Sequence, residues 1–174
     1  MAGLGWVADV GARHSFTGLR YGKLMGRNTY TDELQLALAR SDAQQMCELI
    51  DAYAAHYESD WSAEHADDFG EIITCHWDDP DKALAYVVLA AARTDDAAFI
   101  GMMACGPLED ILRNPSSEML DRIVAEARRS ARFRWLLSHP FKVAVSSNSW
   151  DAIKGFRTTG PHDEPASDTM PPRC

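Results

Sequence analysis

No stretch of the chain stays apolar long enough to cross a bilayer. The longest such run, Ala83 to Ala92, contains Tyr86 and ends at Arg93, against the roughly 20 residues a spanning helix needs. The opening residues, MAGLGWVADVGARH, lack a basic start followed by a continuous apolar segment, so no secretory signal is expected and the expected location is the cytoplasm of a bacterium-like cell. Cysteine is sparse. Cys47, Cys75, Cys105 and Cys174 lie far apart, the first three on or beside apolar helix faces, which suits buried reduced thiols better than disulfides. The sequence has no HExxH or CxxC spacing for a metal, and Ser146-Ser147-Asn148-Ser149 lacks the GxSxG setting of a nucleophile elbow. Gly18, Gly22 and Gly26 recur in a basic segment without the Lys-Ser/Thr pair of a phosphate loop. No repeat of fixed period is present.

What is present is helical periodicity. At 174 residues and 46% hydrophobic the chain suits one domain with a real core. Residues 1–30, with scattered glycines and aromatics, read as an irregular N-terminal arm, and 31–157 as a single helical domain. Thr31, Asp32 and Glu33 open a short helix, and Ser41 with Gln44 reads as a capping box before Met46, Leu49, Ile50, Tyr53, Ala54 and Tyr57. Phe69, Ile72, Ile73, His76 and Trp77 repeat that spacing. Asp79 caps the next helix with Pro80 at its first position, and this helix is apolar nearly all round, which places it in the middle of the domain. Ser116 and the apolar set from Met119 to Ala127 give another helix, and Phe133, Leu136 and Leu137 a short one ended by His139-Pro140. Residues 158–174, rich in Pro, Asp, Ser and Thr, read as a disordered tail. The expected fold is an all-α, compact array of antiparallel helices, HEAT-like in its short turns.

Two further features stand out. Between Phe99 and Arg113, Gly106 reads as the end of one helix and Pro107 as the start of the next, with Glu109 and Asp110 placed at the positive end of the helix dipole. Ala97, Gly101 and Cys105, four apart, line a stripe on which another helix can approach closely, so a homodimer through it is one reading. The second feature is charge. The net charge is −9, but residues 31 to 114 alone carry −14, while 115 to 157 carry +4. The acidic block would repel nucleic acid and anionic membrane and attract a basic partner. The arginines of RIVAEARRSARFR, from Arg122 to Arg134, read as a solvated helix face.

Asp79-Pro80, Phe99-Ile100-Gly101, Gly106-Pro107-Leu108-Glu109-Asp110-Ile111-Leu112 and Arg132-Phe133-Arg134 together resemble a family of small uncharacterised bacterial domains marked by a Gly-Pro-Leu-Glu-Asp-Leu-Leu core. The resemblance covers roughly residues 61 to 140. It implies an all-helical fold and brings no activity.

The candidate binding residues are therefore Glu109, Asp110, Asp67, Asp68 and Glu71, with His65 and His76 as weak metal ligands and Gly101, Gly106 and Pro107 as structural positions. Neighbouring carboxylates on a helix point about 100° apart and do not readily act on one atom. Cys75 and His76 diverge in the same way. No cofactor is implied. The expected function is a non-enzymatic interaction domain for a protein with a basic surface, such as an immunity or antitoxin-like inhibitor. The alternatives are a small enzyme or metal-binding protein using those carboxylates and histidines, and a structural homo-oligomer subunit.

Overall fold

The computed structural model describes residues 32–57 and 66–173, apart from the side chains of Ala66, Asp67 and Asp68. The expected N-terminal arm lies outside the described residues. Within them the chain is all helical: α1 (Glu33–Leu38), α2 (Ala43–His56), α3 (Ala66–Thr74) with a 3₁₀ turn (Cys75–Trp77), and α4 (Pro80–Arg93). There follow α5 (Ala97–Met103), a π turn (Ala104–Leu108), α6 (Glu109–Arg113), α7 (Ser117–Arg129), α8 (Ala131–Leu136) and α9 (Ser147–Ile153).

Helix α4 is the centre. Asp79 accepts from the Lys82 amide at 2.8 Å and Pro80 occupies the first turn, so local chemistry starts the helix where the sequence indicates. Every residue from Ala83 to Ala91 is buried, and α1, α2, α3, α5, α6 and α8 all touch this helix. The antiparallel-array expectation holds as compact all-α packing, but its HEAT-like element does not describe the arrangement. In a solenoid each unit meets only its neighbours, whereas here most helices share one partner.

The helix starts at Asp32 and Ser116 came out as read, and Asp96, Ser130 and Ser146 act in the same way: each of the five side chains accepts from an amide of the first turn. The Ser41–Gln44 capping box did not form. Helix α2 starts after Asp42, whose carboxylate meets Arg40 at 3.0 Å and Lys82 at 3.2 Å rather than its own helix, and Gln44 instead donates to Glu48 at 2.9 Å.

The corner expected at Gly106-Pro107 is absent. Helical backbone runs from Ala97 to Arg113 without a break, passing Pro107 through the π turn, where the Glu109 amide reaches back five residues to the Ala104 carbonyl. Proline has no amide hydrogen for the carbonyl four residues earlier, and its ring crowds that carbonyl. A widened turn accommodates both defects without ending the helix. Pro107 is buried. Glu109 and Asp110 therefore do not stand at a free helix N-terminus, and the dipole explanation for them fails.

The segment after residue 157 lies along the domain rather than forming the disordered tail its composition suggests. Arg157 donates to the carbonyls of Leu137 (2.9 Å), Ser138 (2.7 Å) and Gly160 (2.8 Å). Trp135 Nε1 donates to Thr169 at 3.1 Å, Arg132 to the Pro171 carbonyl at 2.6 Å, and Arg173 to the Arg93 carbonyl at 2.7 Å. The arginines of α7 and α8 are likewise not a solvated face: Arg122 pairs with Glu33 and Asp81, Arg129 with Asp32, Arg132 with Asp95, and Arg134 donates to the Ala127 carbonyl.

Two glycines of α5 and the π turn should respond oppositely to alanine. A Cβ on Gly106 would find only Met102 Sδ, at 4.0 Å, and its backbone is helical, so Gly106→Ala should raise stability by about 0.5–1 kcal/mol. A Cβ on Gly101 would stand 3.2 Å from His139 Nε2, and that ring is 5% exposed and packed edge-on to Trp135 at 4.3 Å. The ring is held there by its Nδ1, 3.2 Å from the Trp135 carbonyl, so it gives way only at a cost. Gly101→Ala should lower the midpoint of urea unfolding while Gly106→Ala raises it.

Glu126 provides a pH test. It is buried, its Oε2 has no hydrogen-bond partner, and burial pushes its carboxyl above the usual range. A carboxyl raised on folding destabilises the ionised native state, and that cost vanishes as pH falls through the folded pKa. Glu126→Gln should thus stabilise the protein at neutral pH, and thermal melts should find the gain shrinking on acidification.

Candidate functional site

The sequence candidates separate into distinct surroundings. His65 and the side chains of Asp67 and Asp68 lie outside the described residues. Glu71 joins Lys82 at 2.6 Å and accepts from the Tyr86 hydroxyl at 3.1 Å; the hydrogen bond from Lys82 holds its carboxyl below the usual range. Glu109 is buried and meets Arg113 at 3.2 Å, and Asp110 meets the same guanidinium at 3.0 Å. These are i,i+4 and i,i+3 contacts on one helix. His76 Nδ1 donates to the Ile73 carbonyl at 2.8 Å and lies 3.6 Å from Asp110 Oδ2. The fold thus brings together two residues 34 apart in the chain, His76 and Asp110, and leaves Glu71 in a different cluster. Among the described residues no three His, Cys, Asp or Glu side chains converge so as to hold a metal.

His76 and Asp110 line a cleft of about 260 Å³ that also includes Asp81, Glu118 and Arg122. Those last three residues form a wall shared with a larger cleft of about 780 Å³, which adds Glu33, Leu36, Arg40, Ser117 and Asp121. The two clefts make one groove between α1, the start of α4 and the start of α7. It is lined by five carboxylates (Glu33, Asp81, Asp110, Glu118 and Asp121) and two guanidiniums, Arg40 and Arg122.

Both guanidiniums are already engaged. Arg122 grips Glu33 with Nε at 2.9 Å and Nη2 at 2.8 Å and gives its remaining nitrogen to Asp81. Arg40 is held by Asp42 and Asp79, each at 3.0 Å. On an isolated helix Glu118 would pair with Arg122 one turn later. Because Arg122 is turned to Glu33, Glu118 loses that partner, and Glu118 and Asp121 both stand exposed with no cation partner among the described residues. Beside the groove stands Trp77, 77% exposed, its ring 4.7 Å from that of His76. Leu36 is 40% exposed.

Comparison with family models places residues 54–160 in a family of unknown function, DUF6869. The chain belongs to that family. No curated protein and no solved structure matches it. The DUF6869 match contains His76, Asp81, Asp110, Glu118, Asp121 and Arg122 but begins after α1, so Glu33, Leu36 and Arg40 lie outside it. The resemblance to an uncharacterised helical family, drawn from residues 61 to 140, thus holds over a somewhat longer span. Among the described residues no helix is long and apolar enough to cross a membrane.

Sequence reasoning missed Trp77, Glu118, Asp121 and the groove itself. Trp77 falls on the apolar spacing of α3 and so reads as core, but the 3₁₀ turn at Cys75–Trp77 tightens the helix and turns the indole out to solvent. The signal for Glu118 and Asp121 is a pairing 89 residues apart in the chain, which no local pattern contains.

The thiols nearby are poor nucleophiles. Partial burial pushes Cys75 and Cys105 each up to about 11, although Cys105 is an exposed residue and not the buried thiol expected there, so both are neutral thiols at neutral pH and the thiolate is scarce. Alkylation by iodoacetamide, followed residue by residue by mass spectrometry, should be slow at neutral pH for both and accelerate as the pH approaches that value.

Proposed function

We propose that this protein is a non-enzymatic interaction domain whose acidic groove receives a basic segment of a protein partner. The observation that carries the reading is the state of the groove: five carboxylates, both guanidiniums already engaged, and Glu118 and Asp121 left without cations. A lysine- or arginine-bearing segment would supply the missing charge, with close pairs in a cleft stronger than the same pairs on open surface. Trp77 beside the groove offers the kind of aromatic anchor around which protein interfaces concentrate their energy. An immunity or antitoxin-like inhibitor, which masks a basic protein, is the concrete form this reading takes, acting from the cytoplasm of a bacterial cell.

The groove also speaks for charge recognition rather than catalysis. Its carboxylates are held by arginines or face solvent.

The test is capture of a partner from the native host on immobilised protein, at low and at high salt, with wild type and with the Glu118→Lys/Asp121→Lys variant. A partner bound through the groove should be retained at low salt, released at high salt, and lost from the double variant, whose thermal stability should match wild type because both positions are exposed. Retention of the same partner by the charge-reversed variant would refute the assignment to this groove. Trp77→Ala should weaken capture by about tenfold or more if the indole is an anchor.

A further inference from the structure

Residues 161–173 have the composition of a segment that stays apart from a core, yet they lie across the domain as a strap. Pro165 is the one buried residue among them, with Met170 and Pro171 half-buried. The turns of the strap are its own: the amides of Asp163, Thr169 and Met170 donate to the carbonyls of Gly160, Ala166 and Ser167. Side chains hold it to the helices. From α8 the Trp135 indole donates to Thr169 Oγ1 at 3.1 Å and Arg132 Nη1 to the Pro171 carbonyl at 2.6 Å, while Arg173 of the strap donates to the Arg93 carbonyl at 2.7 Å.

The ionic centre of this grip is Asp95, in the short link between α4 and α5. Its Oδ1 meets Arg132 at 3.0 Å and its Oδ2 meets Arg173 at 2.7 Å, so one carboxylate joins a guanidinium of the domain to a guanidinium of the strap. The guanidinium of nearby Arg93 is turned to Asp51. The Asp95 and Arg173 side chains are 56% and 47% exposed, and ion pairs so open to water contribute little. Arg132 is 3% exposed and its Nε has no partner, which costs the closed state because a buried charged donor is left unpaired. A segment that buries so little apolar surface, held by exposed ions and a few side-chain hydrogen bonds, belongs to the low end of local stability within a fold.

The strap also forms part of two cleft walls. Glu164, Pro165 and Ser167 line a cleft of about 550 Å³ together with Ala97, Gly101 and Cys105, so the stripe of small residues expected to receive another helix borders this cleft instead. Met170 and Arg173 line a second cleft, of about 530 Å³, with Asp95 and Arg132. Neither shares a lining residue with the acidic groove. We propose that residues 161–173 are a latch, clasped by Asp95, that lifts off as a unit while the helices stay folded. Lifting opens both clefts to solvent and bares the Trp135 indole and the Arg132 guanidinium.

The Trp135 indole proton reports the latch directly. It is bonded to the strap on a residue 2% exposed, so its exchange with solvent requires the strap to lift. In hydrogen exchange followed by NMR on full-length protein, this proton should exchange at least about tenfold faster than the slowest amides of α4, after correction for intrinsic rates. Its rate should depend only weakly on added urea, because lifting a strap exposes little surface, whereas the α4 amides should respond steeply. Asp95→Asn should speed the indole exchange by about tenfold, and Arg173→Ala should speed it by about threefold; both positions are exposed, and persisting α4 protection shows that each variant is folded. An indole proton that matches the α4 amides in rate and urea dependence would overturn the proposal, since the strap would then leave only on global unfolding. So would an indole rate unmoved by both substitutions. The acidic-groove reading involves none of these residues and stands or falls separately.

Discussion

The guanidinium of Arg122 is the contact on which the shape of the acidic face depends. It holds Glu33 through two nitrogens and Asp81 through the third, tying α1 and α4 to α7 at one point. Glu33 is 5% exposed, and a carboxylate so placed is tolerable only when its charge is matched and both oxygens are hydrogen-bonded. A bidentate arginine meets that demand where a lysine would not. The same contact strips Glu118 of its helical partner, so stabilising the core side of α1 leaves the groove side acidic. Structure and proposed function thus come from one side chain.

Arg122 can have this influence because α4 leaves no other place for charge. With Ala83 to Ala91 buried on every side, ionic contacts are confined to the ends of α4 and to the helices around it. Lys82 and Asp79 near its start join Asp42, Glu71 and Arg40, and Arg93 at its end pairs with Asp51. For Asp79, burial alone would raise the carboxyl, but the Lys82 amide and Arg40 outweigh it and hold it below the usual range. Carboxylates lowered in this way favour the native state above their ordinary pKa and stop doing so as the pH falls through the folded value.

What was legible in the sequence was whatever a few adjacent residues decide. Asp79-Pro80, Asp96 and Ser116 start helices because the capping oxygen and the amide it serves are three residues apart or fewer. The all-α class and the central position of α4 follow from apolar spacing in the same way. Gly106-Pro107 carries equally local punctuation and was misread, because a π turn absorbs the proline once the surrounding core favours continuing the helix. The final segment was misread for a related reason. Its own composition cannot bury a core, but Arg132, Arg157 and Trp135 supply donors to it from elsewhere. Of the candidate site, His76 and Asp110 were in view as residue types, whereas their proximity, the exposed Trp77 and the unpaired Glu118 and Asp121 arise only from the packing of α1 and α7 on α4.

The central claim is that Arg122 couples the burial of Glu33 to the acidity of the groove, and it is tested most directly by urea unfolding of Arg122→Ala with amide exchange read at α1. Removing one partner of a buried pair should cost about 3 kcal/mol and make the amides of Glu33–Leu38 exchange faster than those of α4. An unfolding midpoint equal to wild type, with α1 protected as before, would contradict it.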